Sequence, residues 1–462
     1  MSFMPPTDSM FLLAESREHP MHVGGLQLFT PPEGAGPDFV RDVIESFRGH
    51  EVSPLFRRRP AEPVGSLGNT WWKVDESIDV EYHVRHSAVP QPGRIRELLQ
   101  LTSRWHGSLL DRHRPLWETH VVEGLADGRF AVYTKVHHSM VDGVGALRLM
   151  QKSLSVDPDA RDCVPPWSLP AKGAGRPQGA TTPSKGFDPL GVLRAGAEVA
   201  GDLAGLVPAT LRIASQVVRD GDVTLPRAPK TMLNGSVGGA RRFAAQSWEI
   251  ERIQRVAKSS ATTLNDVVLA MVSGALRQYL LDHHALPDDP MTAMVPVSLA
   301  LRADSAGEAS GGNSVGAIVV NLATDREHGA TRLEEIAYSS RSAKKIMGDL
   351  TPTQILAFSA VQMLPLAMTP IPGFVRYTHP PFNVIISNVP GPKEPMYFDG
   401  ARLDGMYPVS IVLDGQALNI TLTSRDTYLD VGLIGCRRSV PSLQRLLTHL
   451  EAALAELEQS WG

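Results

Sequence analysis

The sequence predicts an α/β protein built as two similar units joined by a Pro- and Gly-rich connector. Three observations carry that expectation. At 462 residues the chain is too long for one ordinary core and long enough for two units of about 200 residues each. Strand-like alternation and helical periodicity take turns in both its first and last thirds. Between them lies a stretch rich in Pro, Gly, Ala and Ser.

In the first unit, residues 1–156, the runs at 21–29, 119–122 and 130–138 read as strands, and 95–110 reads as a helix. Residues 157–191, with Pro165-Pro166 among them, have the composition of a linker. Residues 192–218 place apolar side chains at helical spacing, with Arg194 and Arg212 on the polar side and Pro208 breaking the run, which predicts two short connecting helices. The connector therefore covers residues 157–234. In the second unit, 235–462, helices are expected at 264–281, 333–347 and 440–458. Strands are expected at 294–297, 317–322, 383–388, 410–413 and 417–424. The halves resemble each other in element order, without a residue-level repeat.

Composition narrows the function. With 42% hydrophobic and 20% charged residues the chain is a folded body rather than a disordered one. A formal charge of -4 supplies no basic field for nucleic acid, so none is expected as a partner. The two cysteines, Cys163 and Cys436, cannot make a disulfide framework and suit a reducing compartment, so a cytoplasmic location is expected. Residues 1–20 carry Asp8, Glu15 and Glu18 and lack the pattern of a signal peptide. The longest apolar stretch, 355–368, is too short to span a bilayer and contains Pro365. Any membrane contact would be peripheral, at the inner membrane face or a lipid droplet.

The chemistry concentrates in His137-His138-Ser139-Met140-Val141-Asp142-Gly143. Strand alternation over 130–138 sends adjacent histidines to opposite faces, which disfavours one metal ion bound by both, and no metal site is expected. His138 falls at the end of a strand, before the Asp142-Gly143 turn, where a catalytic group reaches a cleft. An imidazole near its ordinary pKa of about 6.5 can take a proton from an alcohol and return it to a leaving thiolate, as acyl transfer from a thioester requires. Asp142 reads as structural, fixing the turn or an arginine, or as an ordinary turn aspartate; Gly143 reads as the turn itself.

The whole seven-residue pattern is similar to the His-His-x-x-x-Asp-Gly signature of the chloramphenicol-acetyltransferase-like superfamily. Its surroundings resemble the bacterial wax ester synthase/diacylglycerol acyltransferase family over nearly the full chain. The matching segments are Pro6-Thr7-Asp8-Ser9-Met10-Phe11, Pro20-Met21-His22-Val23-Gly24, Leu110-Asp111-Arg112, Arg114-Pro115-Leu116-Trp117-Glu118 and Lys135-Val136-His137-His138. They continue with Thr263-Leu264-Asn265-Asp266-Val267-Val268-Leu269-Ala270, Val295-Pro296-Val297-Ser298, Ser387-Asn388-Val389-Pro390-Gly391-Pro392 and Leu418-Asn419-Ile420-Thr421. The resemblance implies two chloramphenicol-acetyltransferase-like subdomains, each a mixed sheet flanked by helices, with a channel between them. It implies an acyl-CoA-dependent O-acyltransferase that esterifies diacylglycerol, or a long-chain alcohol in the wax ester alternative. It casts His138 as general base and His137 as its support, and ties Asn265 and Asp266 to activity. No cofactor is implied, because acyl-CoA is a substrate. Physically, Thr263 and Asp266 also fit a helix N-cap, and both roles stand. One departure is Ser424-Arg425-Asp426 where the family continues with Ser-Tyr-Gly, which bears on the lining near that strand.

Rival readings are weaker. Gly312-Asn313-Ser314-Val315-Gly316 spells a serine-hydrolase elbow, but the following residues read as a strand where an elbow needs a helix. Arg57-Arg58-Arg59 could meet a CoA phosphate or form a solvated face. A carrier-dependent condensation enzyme shares the histidine signature, yet no fused carrier segment is visible, and an intact His138 and Asp142 argue against a non-catalytic lipid-binding protein.

Overall fold

The computed structural model describes residues 2–61, 71–169, 227–298, 315–349, 355 and 374–461. The connecting helices expected over 192–218, Ser314 and nearly all of the apolar stretch at 355–375 lie outside these residues.

The chain begins β1 (Ser2–Phe3), α1 (Pro6–Ala14), β2 (His22–Thr30), α2 (Phe39–Gly49), β3 (Arg58–Pro60), β4 (Trp71–Val74), α3 (Val80–His83) and β5 (Val84–Ala88). It continues α4 (Ile95–His106), β6 (Trp117–Glu123), β7 (Phe130–His137) and α5 (Gly143–Lys152). The later part runs β8 (Arg241–Glu249), α6 (Ile250–Ser259), α7 (Leu264–Asp282), β9 (Thr292–Ser298), β10 (Val315–Asn321), α8 (Gly329–Asp349) and α9 (Phe374–Tyr377). It closes with β11 (Val384–Val389), β12 (Tyr397–Phe398), β13 (Ala401–Val409), β14 (Leu418–Arg425), β15 (Tyr428–Cys436) and α10 (Arg445–Trp461).

Two mixed six-stranded sheets organise these elements. One has the order β12-β13-β2-β7-β6-β5, with β5 and β6 parallel and its other neighbours antiparallel. The other has the order β10-β9-β11-β14-β15-β8, with β11 parallel to both its neighbours. The α/β class and the mixed sheets agree with the expectation from sequence.

The first sheet is not made from the first half alone. β13 pairs with β2 from Thr30 opposite Arg402 to Gly24 opposite Val409, so a strand from late in the chain flanks the neighbour of β7, the strand that runs into the signature. The strand expected at 410–413 is instead the loop that follows β13. Residues 401–409 escape recognition because Asp404, Gly405 and Pro408 interrupt their apolar run, and a bulge between Leu403 and Gly405 breaks the alternation.

β2 and β7 form the centre of the first sheet. β7 is buried along its whole length, and β2 is buried up to Thr30. α5 can lie close over β2 because Gly25 has no side chain: a Cβ there would stand 2.7 Å from Met150 Sδ. One core joins β2 and β7 through Leu26 and Tyr133 to Phe243, Trp248 and α7. A second fills the other face with Val132, Val136, Trp117, Leu147 and Met150. Trp117 of the Pro-Leu-Trp segment is a core residue whose indole N–H donates to the Phe56 carbonyl at 2.8 Å.

Candidate active site

β2 and β7 pair His22 with His137, and the His138 N–H donates to the Met21 carbonyl at 2.8 Å. Both histidines are thus pinned at the backbone, but their rings have different surroundings. His137 is fully buried. The Ser139 N–H donates to its Nδ1 at 3.1 Å, with Ser139 Oγ 2.7 Å from the same nitrogen. Nδ1 is therefore an acceptor, which places the ring proton on Nε2, 3.3 Å from Glu15 Oε1. That contact is within ion-pair distance but is not aligned as a hydrogen bond. Glu15 also accepts from Arg112 Nε at 3.1 Å and Nη2 at 2.9 Å. Burial pushes its carboxyl upward, yet His137 and Arg112 more than offset this and hold it below the usual range.

His138 lies one residue past the strand and is half-buried. Its ring stacks on Phe11 of α1, with centroids 4.1 Å apart and planes at 24°. Burial pulls its pKa down to about 4, against the Asp142 carboxylate and its own backbone carbonyl, which favour the charged ring. The imidazole is accordingly neutral at pH 7 and able to accept a proton. Asp142 would stabilise the imidazolium once formed.

Asp142 is the N-cap of α5 and accepts from the Gly145 N–H at 2.6 Å. That bond fixes the first turn of the helix. Gly143 differs from its expected role: it is the first residue of α5, and a Cβ there would meet only Val23 Cγ1 at 3.8 Å. The position that requires glycine is Gly145, where a Cβ would stand 2.9 Å from both Asp142 Oδ1 and Val141 Cγ1. Sequence reasoning passed over it because it lies outside the seven-residue pattern.

Asn265 and Asp266 open α7. Asp266 accepts from the Thr263 N–H at 3.0 Å and the Thr263 hydroxyl at 2.7 Å, while Thr263 Oγ1 accepts from the Asp266 N–H at 3.2 Å. This is the reciprocal capping box that the spacing allows. The second carboxylate oxygen of Asp266 is buried without a partner among the described residues. Asn265 is half-buried beside it. Arg57 is engaged by backbone, donating to the Asp75 carbonyl at 3.1 Å and the Glu76 carbonyl at 2.8 Å.

Behind the histidines lies a buried polar network that sequence reasoning missed. Lys135 Nζ donates to the carbonyls of Trp105 and Ser108, at 2.7 and 2.8 Å, and to Glu118 Oε1 at 2.9 Å. Glu118 also meets Arg85 at 3.3 Å. His106 Nε2 donates to the Ser410 carbonyl at 2.9 Å, so its Nδ1 accepts from the Tyr133 hydroxyl at 2.8 Å. Burial lowers the His106 pKa to about 3, keeping that tautomer neutral. The partners are far apart in sequence, and only a strand alternation that turns Tyr133 and Lys135 inward hinted at them.

Glu118 makes this network acid-sensitive. Burial raises its carboxyl, but His120, Lys135 and Arg85 together bring it down from 4.5 to about 2. A depressed carboxylate contributes stability above its unfolded pKa and loses it as pH falls through the folded value. Melting temperature should therefore fall from about pH 5 toward pH 2 more steeply in the wild type than in Glu118→Gln, which is less stable at neutrality. Equal slopes in a melting series across that window would contradict the assignment.

Among the described residues no helix is long and apolar enough to cross a membrane. The wax ester synthase/diacylglycerol acyltransferase catalytic domain matches residues 4–268, and the C-terminal domain of the same family matches residues 311–458. A probable diacylglycerol O-acyltransferase of Mycobacterium tuberculosis strain H37Rv is 53% identical over 464 residues, covering 100% of both chains. The O-acyltransferase WSD of Acinetobacter baylyi is 43% identical, covering 98% of this chain and 96% of its own. The solved wax ester synthase/diacylglycerol acyltransferase of Marinobacter aquaeolei VT8 superposes with a TM-score of 0.80 at 42% identity, covering 100% of each chain. The first condensation domain of the CDA synthetase shares the fold, with a TM-score of 0.53 at 16% identity. The chain belongs to the wax ester synthase/diacylglycerol acyltransferase family, and it is an acyltransferase.

Proposed function

We propose that the protein transfers the acyl group of an acyl-CoA to diacylglycerol, giving triacylglycerol and free CoA, with His138 as general base. The observation that supports this most directly is the His138 ring itself: neutral, half-buried at the end of a central strand, with Asp142 favouring its charged form. Its Nδ1 is buried, which leaves Nε2 as the nitrogen to meet the acceptor. Nε2 takes the hydroxyl proton as the alcohol oxygen attacks the thioester carbonyl. The tetrahedral intermediate then collapses, the C–S bond breaks, and the proton passes from the imidazolium to the departing thiolate. His137, held by Ser139 and Glu15, keeps the chain end in place, and Asp142 fixes the start of α5. No cofactor enters this scheme.

Diacylglycerol is the preferred acceptor because relatives at 53% identity carry that name. The wax ester reading, with a long-chain alcohol as acceptor, draws on the Marinobacter protein at 42% identity. The expected setting is cytoplasmic, with peripheral contact to a membrane or lipid droplet that holds the acceptor. The test is release of free CoA from palmitoyl-CoA with diacylglycerol, hexadecanol or no acceptor, and identification of the ester by chromatography. Release dependent on diacylglycerol supports the proposal; dependence on hexadecanol alone favours wax ester synthesis. Equal release without acceptor would indicate hydrolysis and overturn both.

A further inference from the structure

The N-terminal helix carries a residue whose contact the scheme above leaves unused. α1 is clamped by Leu12, which packs with Met4, Trp72, Leu110 and Leu116, and by Arg112, which donates to the Leu12 carbonyl at 2.7 Å and to Glu15. Its other face is open: Met10 is 53% and Leu13 65% exposed. Between these two faces, Phe11 lies flat on the His138 ring.

That stack matters because little else orients the imidazole. Its backbone N–H is held by Met21, but Nδ1 is buried with no well-formed hydrogen bond among the described residues, only its own backbone carbonyl bearing on the ring. An imidazole without a well-formed side-chain hydrogen bond can rotate, and a base rotated away from its proton loses most of its effect. We propose that Phe11 is a positioning residue for acyl transfer, its ring holding the His138 imidazole in the plane from which it takes the acceptor's proton. The assignment rests on His138 being the base.

The titratable groups bearing on the ring are Asp142 at the start of α5 and His137 on β7. On the α1 side Glu15 is engaged by His137 and Arg112. Phe11 contributes to the burial that depresses the ring, so replacing it admits water and moves the acid limb of the rate profile to higher pH.

The test uses the full-length protein with palmitoyl-CoA and diacylglycerol, and measures kcat, KM, the pH profile and melting temperature. The variants are Phe11→Leu, which keeps apolar volume without a flat ring, Phe11→Tyr, and Leu13→Ser on the open face. Phe11→Leu is expected to lower kcat roughly 10- to 100-fold, with KM within about 2-fold and the acid limb shifted upward. Phe11→Tyr should retain kcat within about 3-fold, and Leu13→Ser should match the wild type. A Phe11→Leu protein with unchanged kcat, a loss confined to KM, or an unmoved acid limb overturns the proposal, as does failure of Phe11→Tyr to restore turnover. His138→Ala separates the two layers. If it is inactive while Phe11→Leu is unimpaired, only the positioning role fails; if it is fully active, the base assignment fails as well.

Discussion

His138→Ala is expected to lower acyl transfer by about 10²- to 10⁴-fold, the usual contribution of a positioned general base. The loss should fall on kcat, because the ring acts on the proton in flight rather than on either substrate at rest. The fold should survive. His138 lies beyond the end of β7, its half-buried ring makes a face-to-face contact with Phe11, and its N–H bond to Met21 does not involve the side chain. His137→Ala provides the contrast. It removes a fully buried ring that holds Ser139 and faces Glu15, so stability should fall with activity. CoA release and melting curves on both variants decide the matter. A His138→Ala enzyme with wild-type turnover would refute direct transfer through this base.

Asp430→Ala is expected to destabilise the protein by about 3–5 kcal/mol, the cost of breaking a buried ion pair from one side. Asp430 is fully buried and accepts from Arg425 Nε at 3.0 Å, the Ser247 hydroxyl at 2.6 Å and the Met406 N–H at 2.7 Å. Burial raises its carboxyl, against the pull of Arg425, Ser247 and Met406. Without the aspartate, Arg425 keeps a bond of 3.4 Å to the Leu403 carbonyl but has lost its anion in a buried site. Urea titration should show a lower midpoint, and replacing both partners with apolar residues of similar volume should recover much of the loss. A change below about 1 kcal/mol would place the pair among contacts that contribute little. The same pair accounts for the departure at Ser424-Arg425-Asp426: Arg425 turns inward to Asp430 and, through Met406 and Leu403, braces β13.

Elements with a clean period were legible in the sequence. The helix expected at 264–281 is α7, Leu264–Asp282, with its capping box at Thr263 and Asp266, and the strand at 317–322 is β10, Val315–Asn321. β8 and β15 were not recognised. β15 is broken in pattern by Asp430, Gly432 and Gly435, and β8 by Arg241, Arg242 and Gln246, although pairing between the two strands places them firmly in the sheet. Within the site, the signature located His137, His138 and Asp142 because their spacing is local. The Glu15–His137 and Phe11–His138 contacts join segments more than 100 residues apart and leave no periodic trace. What the sequence did offer was the matching runs around Phe11 and Arg112, whose proximity is visible only once the chain is folded.

The late strand β13 also bears on how the protein is made. β2 leaves the ribosome early, yet its partner on one side, Ala401–Val409, is translated only after most of the chain. At ordinary synthesis rates that delay is on the order of tens of seconds, during which the β2 segment His22–Thr30 has an open edge. An unpaired apolar edge recruits strands from other molecules. Expression at low temperature with chaperone support should therefore raise the soluble yield, while a fragment ending before β13 would be born with that edge permanently bare.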